Sequence, residues 1–215
     1  MRPHELLIPR PEGLYCPPGD FYIDPVRPVD RAVITHGHSD HARAGHHHVL
    51  ATPETLAIMA VRYGEGFCAQ AQGLAYGETI THRGVSVRLA PAGHVLGSAQ
   101  AVVDHEGLRI VVSGDYKRRR DPTCALFEPV PCDVFISEAT FALPVFTHPD
   151  DRDEVGKLLR SVAANPERTH LVGAYALGKA QRLIALIREA GYSDTIFIHG
   201  AMERLCRLYE AHGVD

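Results

Sequence analysis

The sequence predicts an α/β fold of mixed (α+β) character, in which helices pack against layered sheets. Apolar runs of strand length repeatedly end in a histidine or an acidic residue, and the run 32–35 leads into a polar loop and then a helical pattern. The last third of the chain alternates short apolar runs with helical patterns, which indicates parallel pairing in a second unit. Polar strand ends gathered at one sheet edge are the usual place for a functional site.

The elements of the first part follow from local patterns. Its proline-rich start predicts an extended arm with a short strand at 6–8, because proline blocks regular ladders. Strands are expected at 21–23 and 32–35, where aromatic and β-branched residues cluster. A helix is expected at 52–60, because it starts with a threonine suited to the N-cap, then proline and glutamate. Further strands are predicted at 79–81, 85–89, 100–103, 109–113 and 133–137.

The second part alternates helices and strands, and its expected elements are a helix at 150–162, a strand at 170–175, a helix at 178–190, a strand at 195–198 and a helix at 202–211. We place the domain boundary after residue 147, so that 1–147 form a core and 148–215 an additional lobe. Proline and acidic residues around 144–150 favour a break at this point.

Composition bounds the setting of the protein and excludes several classes. The 215 residues are 45% hydrophobic and 22% charged, which is typical of a globular chain with a sizeable core. The formal net charge of −4 provides no general basic field for nucleic acid. The five cysteines form no C-x-x-C pair, which argues against a disulfide framework and for the cytoplasm. No signal peptide or long apolar run is present, so we expect no membrane partner.

The densest chemical signal is the segment 35–41, which sets four potential metal ligands in six residues: His36, His38, Asp40 and His41. Imidazole and carboxylate are ligands that Zn²⁺ or Mn²⁺ accepts. Side chains two apart on a strand point the same way, so His36 and His38 can face one ion, while Asp40 and His41 face a neighbouring ion. The spacing therefore favours two metals over one, and a polar loop rich in histidine is the alternative.

A family resemblance rests on motifs along the whole chain. Asp24, the segment 36–41, His94 and Asp115 resemble, in order and context, the metal motifs of the metallo-β-lactamase fold. Glu138, in the sequence Ser-Glu-Ala-Thr-Phe, is similar to the first extra motif of the β-CASP nucleic-acid-processing branch. The segments 13–17, 21–25 and 172–181 look like those of bacterial ligase-associated DNA exonucleases.

The resemblance implies an αββα sandwich over 1–147 and the start of an inserted β-CASP α/β lobe over 148–215. It implies that three histidines hold one Zn²⁺, that Asp40 and His41 hold a second, and that Asp115 bridges the two; Mn²⁺ is an alternative occupant. The metal ligands are then His36, His38, Asp40, His41, His94 and Asp115, the catalytic acids are Asp40, Asp115 and Glu138, and the carboxylate that orients an imidazole is Asp24.

The activity that the resemblance implies is hydrolysis of DNA phosphodiesters, as an exonuclease in repair or end processing. Single-stranded DNA or DNA ends are the expected partner, with a DNA ligase as a further one. A basic run after Asp115 is a candidate for phosphate contacts, and it consists of Lys117, Arg118, Arg119 and Arg120. Members of the branch supply two further histidines beyond the lobe, so we expect a truncated lobe and a weakly held second metal.

Other readings stay open at this point. His94, Asp115 and Glu138 each fit an ordinary polar loop or turn, the basic run fits a solvated surface, and the histidines at 46–48 are expected to be solvated. A thioester or lactone hydrolase on the same scaffold is one alternative function. A non-catalytic module that binds DNA or a ligase is another.

Overall fold

The computed structural model describes residues 1–214, which divide into two compact units, Met1–Glu138 and a second that begins at Ala139. The boundary after residue 147, which marks where we place the start of the additional lobe, remains a proposal. Within the described part of the chain, no helix is long and apolar enough to cross a membrane.

The first unit begins with a short helix and a six-stranded sheet. Helix α1 spans Pro3–Leu6, and the strands, in spatial order, are β1 (Ile8–Arg10), β2 (Gly13–Cys16), β3 (Phe21–Ile23), β4 (Arg31–Val33), β5 (His46–Ala51) and β6 (Cys68–Gly73). Strands β1 to β3 pair antiparallel, whereas β3 to β6 pair parallel. Helix α2 (Pro53–Tyr63) connects β5 to β6, as a parallel crossover requires.

A second sheet completes the first unit and has five strands. They are β7 (Thr79–His82), β8 (Val85–Pro91), β9 (Ala99–His105), β10 (Leu108–Val112) and β11 (Val134–Ile136), in the spatial order β11-β10-β9-β8-β7. All neighbours are antiparallel except β10 and β11, which run parallel. The carboxyl ends of β10 and β11 therefore lie side by side.

The two sheets face each other across the main core. Phe21, Ile23 and Val33 of the first sheet belong to the same buried cluster as Val87 and Val103 of the second. On the outer face of the first sheet, a separate cluster joins strand residues to α2, and it includes Ala32, Ile34, Val49 and Met59. Burial of each large apolar side chain contributes about 1.5–3 kcal/mol. The order helix, sheet, sheet confirms the predicted layered sandwich for these layers.

Most predicted strands of the first unit overlap observed ones, and α2 begins as predicted after the N-cap Thr52. The prediction at 6–8 is only partly correct, because Leu6 ends a helix and the strand starts at Ile8. Strands β2, β5 and β6 were not predicted. A run of histidines opens β5, and β6 has the sequence CAQAQG, so neither shows the apolar alternation that marks a strand.

The described part of the second unit contains three helices, α3 (Asp151–Ala164), α4 (Lys179–Glu189) and α5 (Gly200–Ala211), which confirm the three predicted there. The strands predicted at 170–175 and 195–198 are wrong within the described residues, since both segments lie outside any ladder. A strand needs a hydrogen-bonded neighbour, and apolar sequence alone does not supply one. Leu171 and Phe197 in these segments are 93% and 91% exposed.

Thr52 links α2 to the second sheet, and its removal should be measurable. Its Oγ1 accepts a hydrogen bond from the Thr55 N–H (3.2 Å) and donates one to the Gly97 carbonyl (2.7 Å). We expect Thr52→Ala to lower the free energy of unfolding by about 1–2 kcal/mol, measured by urea denaturation. The control Thr81→Ala removes an exposed hydroxyl and should change stability by less than about 0.5 kcal/mol. Equal effects of the two substitutions would contradict this role.

Candidate metal centre

The candidate centre lies where neighbouring parallel strands of the first sheet end. Asp24 follows β3, and the segment 35–41 follows β4. The Asp24 N–H donates to the Val33 carbonyl at 3.0 Å, which holds the two strand ends in register. Because β3 and β4 are parallel, their carboxyl ends deliver the Asp24 carboxylate and the histidine segment to the same edge.

The second sheet contributes His94, from the loop between β8 and β9, and Asp115, from just beyond β10. The two sheets are bridged near the site by a backbone hydrogen bond from the Ala99 N–H to the Thr35 carbonyl (2.8 Å). Side chains distant in sequence are thus brought together by the facing of the two sheets.

The His94 loop is fixed by hydrogen bonds. Both Thr52 and Thr55 donate from Oγ1 to the Gly97 carbonyl, and the Ser98 Oγ accepts from the His94 N–H at 3.0 Å. Gly97 has φ +74°, and a Cβ there would lie 2.7 Å from the Thr55 nitrogen, so only glycine fits. The loop that presents His94 is therefore held against the start of α2.

Three imidazoles converge with one carboxylate in a compact group. The His36 Nε2 lies 3.0 Å from the His38 Nδ1, which lies 3.2 Å from the His94 Nε2. The Asp115 Oδ2 lies 3.8 Å from His36 Nε2 and 3.6 Å from His94 Nε2. Ligand atoms around a tetrahedral Zn²⁺ are about 3.3 Å apart, given Zn–N distances of about 2.0–2.1 Å. The donor set and its spacing therefore fit a zinc ion.

The other oxygen of Asp115 faces a second set of candidate ligands. Its Oδ1 lies 3.4 Å from the His41 Nε2, and the same nitrogen lies 3.8 Å from the Asp40 Oδ2. The Asp40 side chain is 75% exposed, whereas His36 is fully buried. The two oxygens of one carboxylate thus face separate imidazole groups, which is the arrangement that a bridging ligand between two cations needs.

A hydrogen-bond chain through Thr35 orients both histidine groups. The Asp24 Oδ2 accepts from the Thr35 hydroxyl (2.6 Å) and from the His41 Nδ1 (2.7 Å), while Asp24 Oδ1 accepts from the Thr35 N–H (2.8 Å). Since the Thr35 hydroxyl gives its proton to Asp24, its oxygen accepts from the His36 Nδ1 at 3.1 Å. Both imidazoles therefore carry a proton on Nδ1 and turn Nε2 toward Asp115.

The pKa values of the histidines differ between the two groups that face Asp115. Burial, and then the neighbouring imidazoles, lower the pKa of His36 well below its ordinary value. Burial and His38 likewise lower the pKa of His94 to about 4, so both rings are neutral, the form that ligates metals. Burial also lowers the pKa of His41, but hydrogen bonds to Asp115 and Asp24 outweigh it and raise the pKa to about 10. The space around His41 thus favours positive charge.

Thr35 and Gly114 are parts of the site that the sequence reasoning missed. Gly114 has φ +54°, and a Cβ at this position would lie 2.6 Å from the Thr35 Oγ1. The glycine before Asp115 is therefore needed so that the two ligand loops can approach each other. In the sequence, both residues could have been recognised because each directly precedes a predicted ligand.

Glu138 lies beyond β11, next to the strand that delivers Asp115. Its N–H donates to the Ser113 Oγ at 3.4 Å, and its negative charge raises the pKa of His94, an effect smaller than those of burial and His38. Glu138 therefore lies close enough to act electrostatically on the site. The parallel pairing of β10 and β11 accounts for this position, because it brings the two strand ends side by side.

The basic run behind Asp115 divides into two kinds of residue. Lys117 forms an ion pair with Asp121 at 2.7 Å, and the Asp121 side chain is only 2% exposed. Arg118, Arg119 and Arg120 are exposed. Lys117 therefore has a structural role in the loop, while the three arginines present charge at the surface.

The chain is similar in sequence to several known proteins. No family model matches it. It is 29% identical over 206 residues to a probable DNA ligase of Opitutus terrae (94% of this chain, 20% of that protein), and 30% identical over 199 residues to the endoribonuclease ysh-1 of Neurospora crassa (75% and 23%). The chain thus spans about a fifth of the length of these relatives.

A crystal structure of a protein of unknown function from Enterococcus faecalis shares the fold, with a TM-score of 0.61 at 18% identity over 86% of this chain and 49% of that one. The layered sheets, the order of the clustered candidate ligands and the sequence relatives agree with the resemblance to the metallo-β-lactamase fold and its β-CASP branch.

The hydrogen-bond chain through Thr35 predicts an effect on metal binding without loss of a ligand. We expect Thr35→Val, which keeps the shape of the side chain, to weaken Zn²⁺ binding by about 10–100-fold, because the His36 imidazole loses its hydrogen-bond acceptor and the Asp24 carboxylate, which orients His41, loses a donor. Competition with a chromophoric chelator measures this affinity. Thr81→Val serves as the control and should leave it unchanged, and an unaltered affinity in Thr35→Val would show that the chain of hydrogen bonds does not orient the ligands.

Proposed function

We propose that this chain forms the metal-binding core of a zinc-dependent phosphodiesterase that hydrolyses DNA, as an exonuclease in repair or end processing. The observation that carries the proposal is the placement of the two Asp115 oxygens toward separate imidazole groups. Two cations bound there would supply Lewis-acid activation of water and neutralise charge that develops on the phosphate.

In this proposal the residues have distinct tasks. His36, His38 and His94 would hold one cation, His41 and Asp40 would hold the other, and Asp115 would serve both. The neutral imidazoles of His36 and His94, and the space around His41, which favours positive charge, support this division. Because Asp40 is far more exposed than the histidines, we expect its side of the site to bind its cation more weakly.

Glu138 is proposed to handle a proton at the leaving oxygen. The parallel pairing of β10 with β11 supports this role, since it places Glu138 beside the strand that carries Asp115. A carboxyl group within reach of the scissile phosphate can deliver a proton that the leaving alkoxide needs.

DNA is the proposed substrate, and a DNA ligase is the proposed partner. The name of the Opitutus terrae relative supports both, whereas the Neurospora crassa relative, an endoribonuclease, makes RNA the competing substrate. The exposed arginines that follow Asp115 would contact the phosphates of either DNA or RNA. All five cysteines are free thiols, which supports a reducing compartment such as the cytoplasm.

The activity is tested in the natural polypeptide that contains these residues. End-labelled single-stranded DNA, duplex DNA, RNA of the same sequence and a thioester are compared as substrates, with Zn²⁺ or Mn²⁺ present. Asp115→Asn should lower DNA turnover at least about 100-fold, because it removes the shared ligand charge. The control Asp153→Asn, on the exposed side of α3, should not change turnover. Preferred cleavage of the RNA or the thioester would overturn the DNA assignment, and metal binding without any turnover would indicate a non-catalytic module.

The arginines of the basic run predict a change in the salt dependence of binding. Replacing Arg118, Arg119 and Arg120 by alanine should reduce the slope of log K against log salt for single-stranded DNA by about 2, since about 0.7 counterions are released per contact. The control triple variant at Arg10, Arg27 and Arg152 removes the same charge from exposed positions and should keep the slope. Equal slopes in all three proteins would exclude the run from DNA binding.

A further inference from the structure

A second group of metal-ligating side chains lies outside the centre described above. It consists of Asp30, directly before β4, and of His47 and His48, the second and third residues of β5. The centre follows the carboxyl end of β4, so this group lies at the opposite end of the same strand. Of the histidines at 46–48, which we expected to be solvated, His46 is instead buried, whereas His47 is exposed and His48 is half-buried.

Backbone pairing fixes the three residues relative to one another. The His47 N–H donates to the Val29 carbonyl (3.0 Å), and the His48 N–H donates to the Asp30 carbonyl (2.7 Å). The Arg31 Nε lies 3.5 Å from the Asp30 Oδ2, so Asp30 Oδ1 is the oxygen that faces the imidazoles. The start of the β4–β5 ladder therefore holds the donor atoms in place.

The donor atoms form a triangle of the size that a transition metal needs. The His47 Nδ1 and the His48 Nδ1 are 3.0 Å apart, and they lie 3.5 and 3.7 Å from the Asp30 Oδ1. Edges of about 3.3 Å are expected around tetrahedral Zn²⁺. Two imidazole nitrogens at 3.0 Å cannot both present lone pairs to each other, so a proton or a cation must lie between them.

We propose that Asp30, His47 and His48 form a separate surface site for a borderline divalent cation of the Zn²⁺, Ni²⁺ or Cu²⁺ class. Two imidazoles with one carboxylate suit these ions, whereas Mg²⁺ and Ca²⁺ prefer sets of oxygen ligands. His47 is 56% exposed and Asp30 67%, so the remaining coordination positions are open to water or to a ligand from another molecule. A cation here joins the amino-terminal ends of β4 and β5 and stabilises the sheet.

The test uses the natural polypeptide with ¹⁵N-labelled histidine and Zn²⁺ as the only probe. Zn²⁺ added beyond saturation of the centre should shift the Nδ1 resonances of His47 and His48. The variant with His47→Gln and His48→Gln should bind one Zn²⁺ per chain fewer in equilibrium dialysis, and the control His4→Gln, another exposed histidine, should bind as many as the wild type. Zn²⁺ should also raise the Tm of the wild type further than that of the double variant.

Three results would overturn the site. These are unshifted Nδ1 resonances of His47 and His48, an equal loss of Zn²⁺ in the His4→Gln control, or saturation only at millimolar Zn²⁺, which would indicate an adventitious ion. Asp30→Asn provides a milder variant, because its backbone carbonyl still accepts the His48 N–H while the carboxylate charge is lost. It should weaken Zn²⁺ binding at this site at least about 10-fold and leave DNA turnover unchanged, so a failure here is distinguishable from a failure of the proposed function.

Discussion

The site depends on the hydrogen bonds that the Asp24 carboxylate accepts. This carboxylate accepts from the Thr35 N–H, from the Thr35 hydroxyl and from the His41 imidazole. It joins the end of β3 to the loop after β4 and thereby fixes where the histidine segment leaves the sheet. Because the donors include both a backbone N–H and a hydroxyl, the carboxylate cannot shift without releasing both. The positions of His36 and His41 follow from this one carboxylate.

The second sheet positions the two remaining residues of the site. His94 and Asp115 come from strands that pack face to face against the first sheet, and a hydrogen bond between the Ala99 N–H and the Thr35 carbonyl ties the two layers beside the site. Glycines at 97 and 114 let loops from different layers approach within side-chain contact. The layered fold is therefore a requirement of the ligand geometry as well as a source of buried apolar area.

The sequence predicted the parts of the protein that are encoded locally. The N-cap Thr52 and the dense cluster of candidate ligands from His36 to His41 stand out in the sequence because residue type and spacing mark them directly. Strand β5 was missed because its pairing with β4 and β6, and not its own composition, makes it a strand. Thr35 was missed for a related reason, since its role depends on Asp24, which is brought close only by the parallel pairing of β3 and β4.

The composition of the centre is not what stability alone would select. His36 is fully buried beside His38 and His94, and burial with mutual repulsion lowers the pKa of His36 and of His94. Apolar side chains of similar volume would fill this space at lower cost, because neutral imidazoles there still carry polar nitrogens that need partners. Local features that conflict with stability are expected at functional sites. The conflict is resolved when the nitrogens that converge on Asp115 have a cation to bind, and this supports a metal centre over a satisfied polar loop.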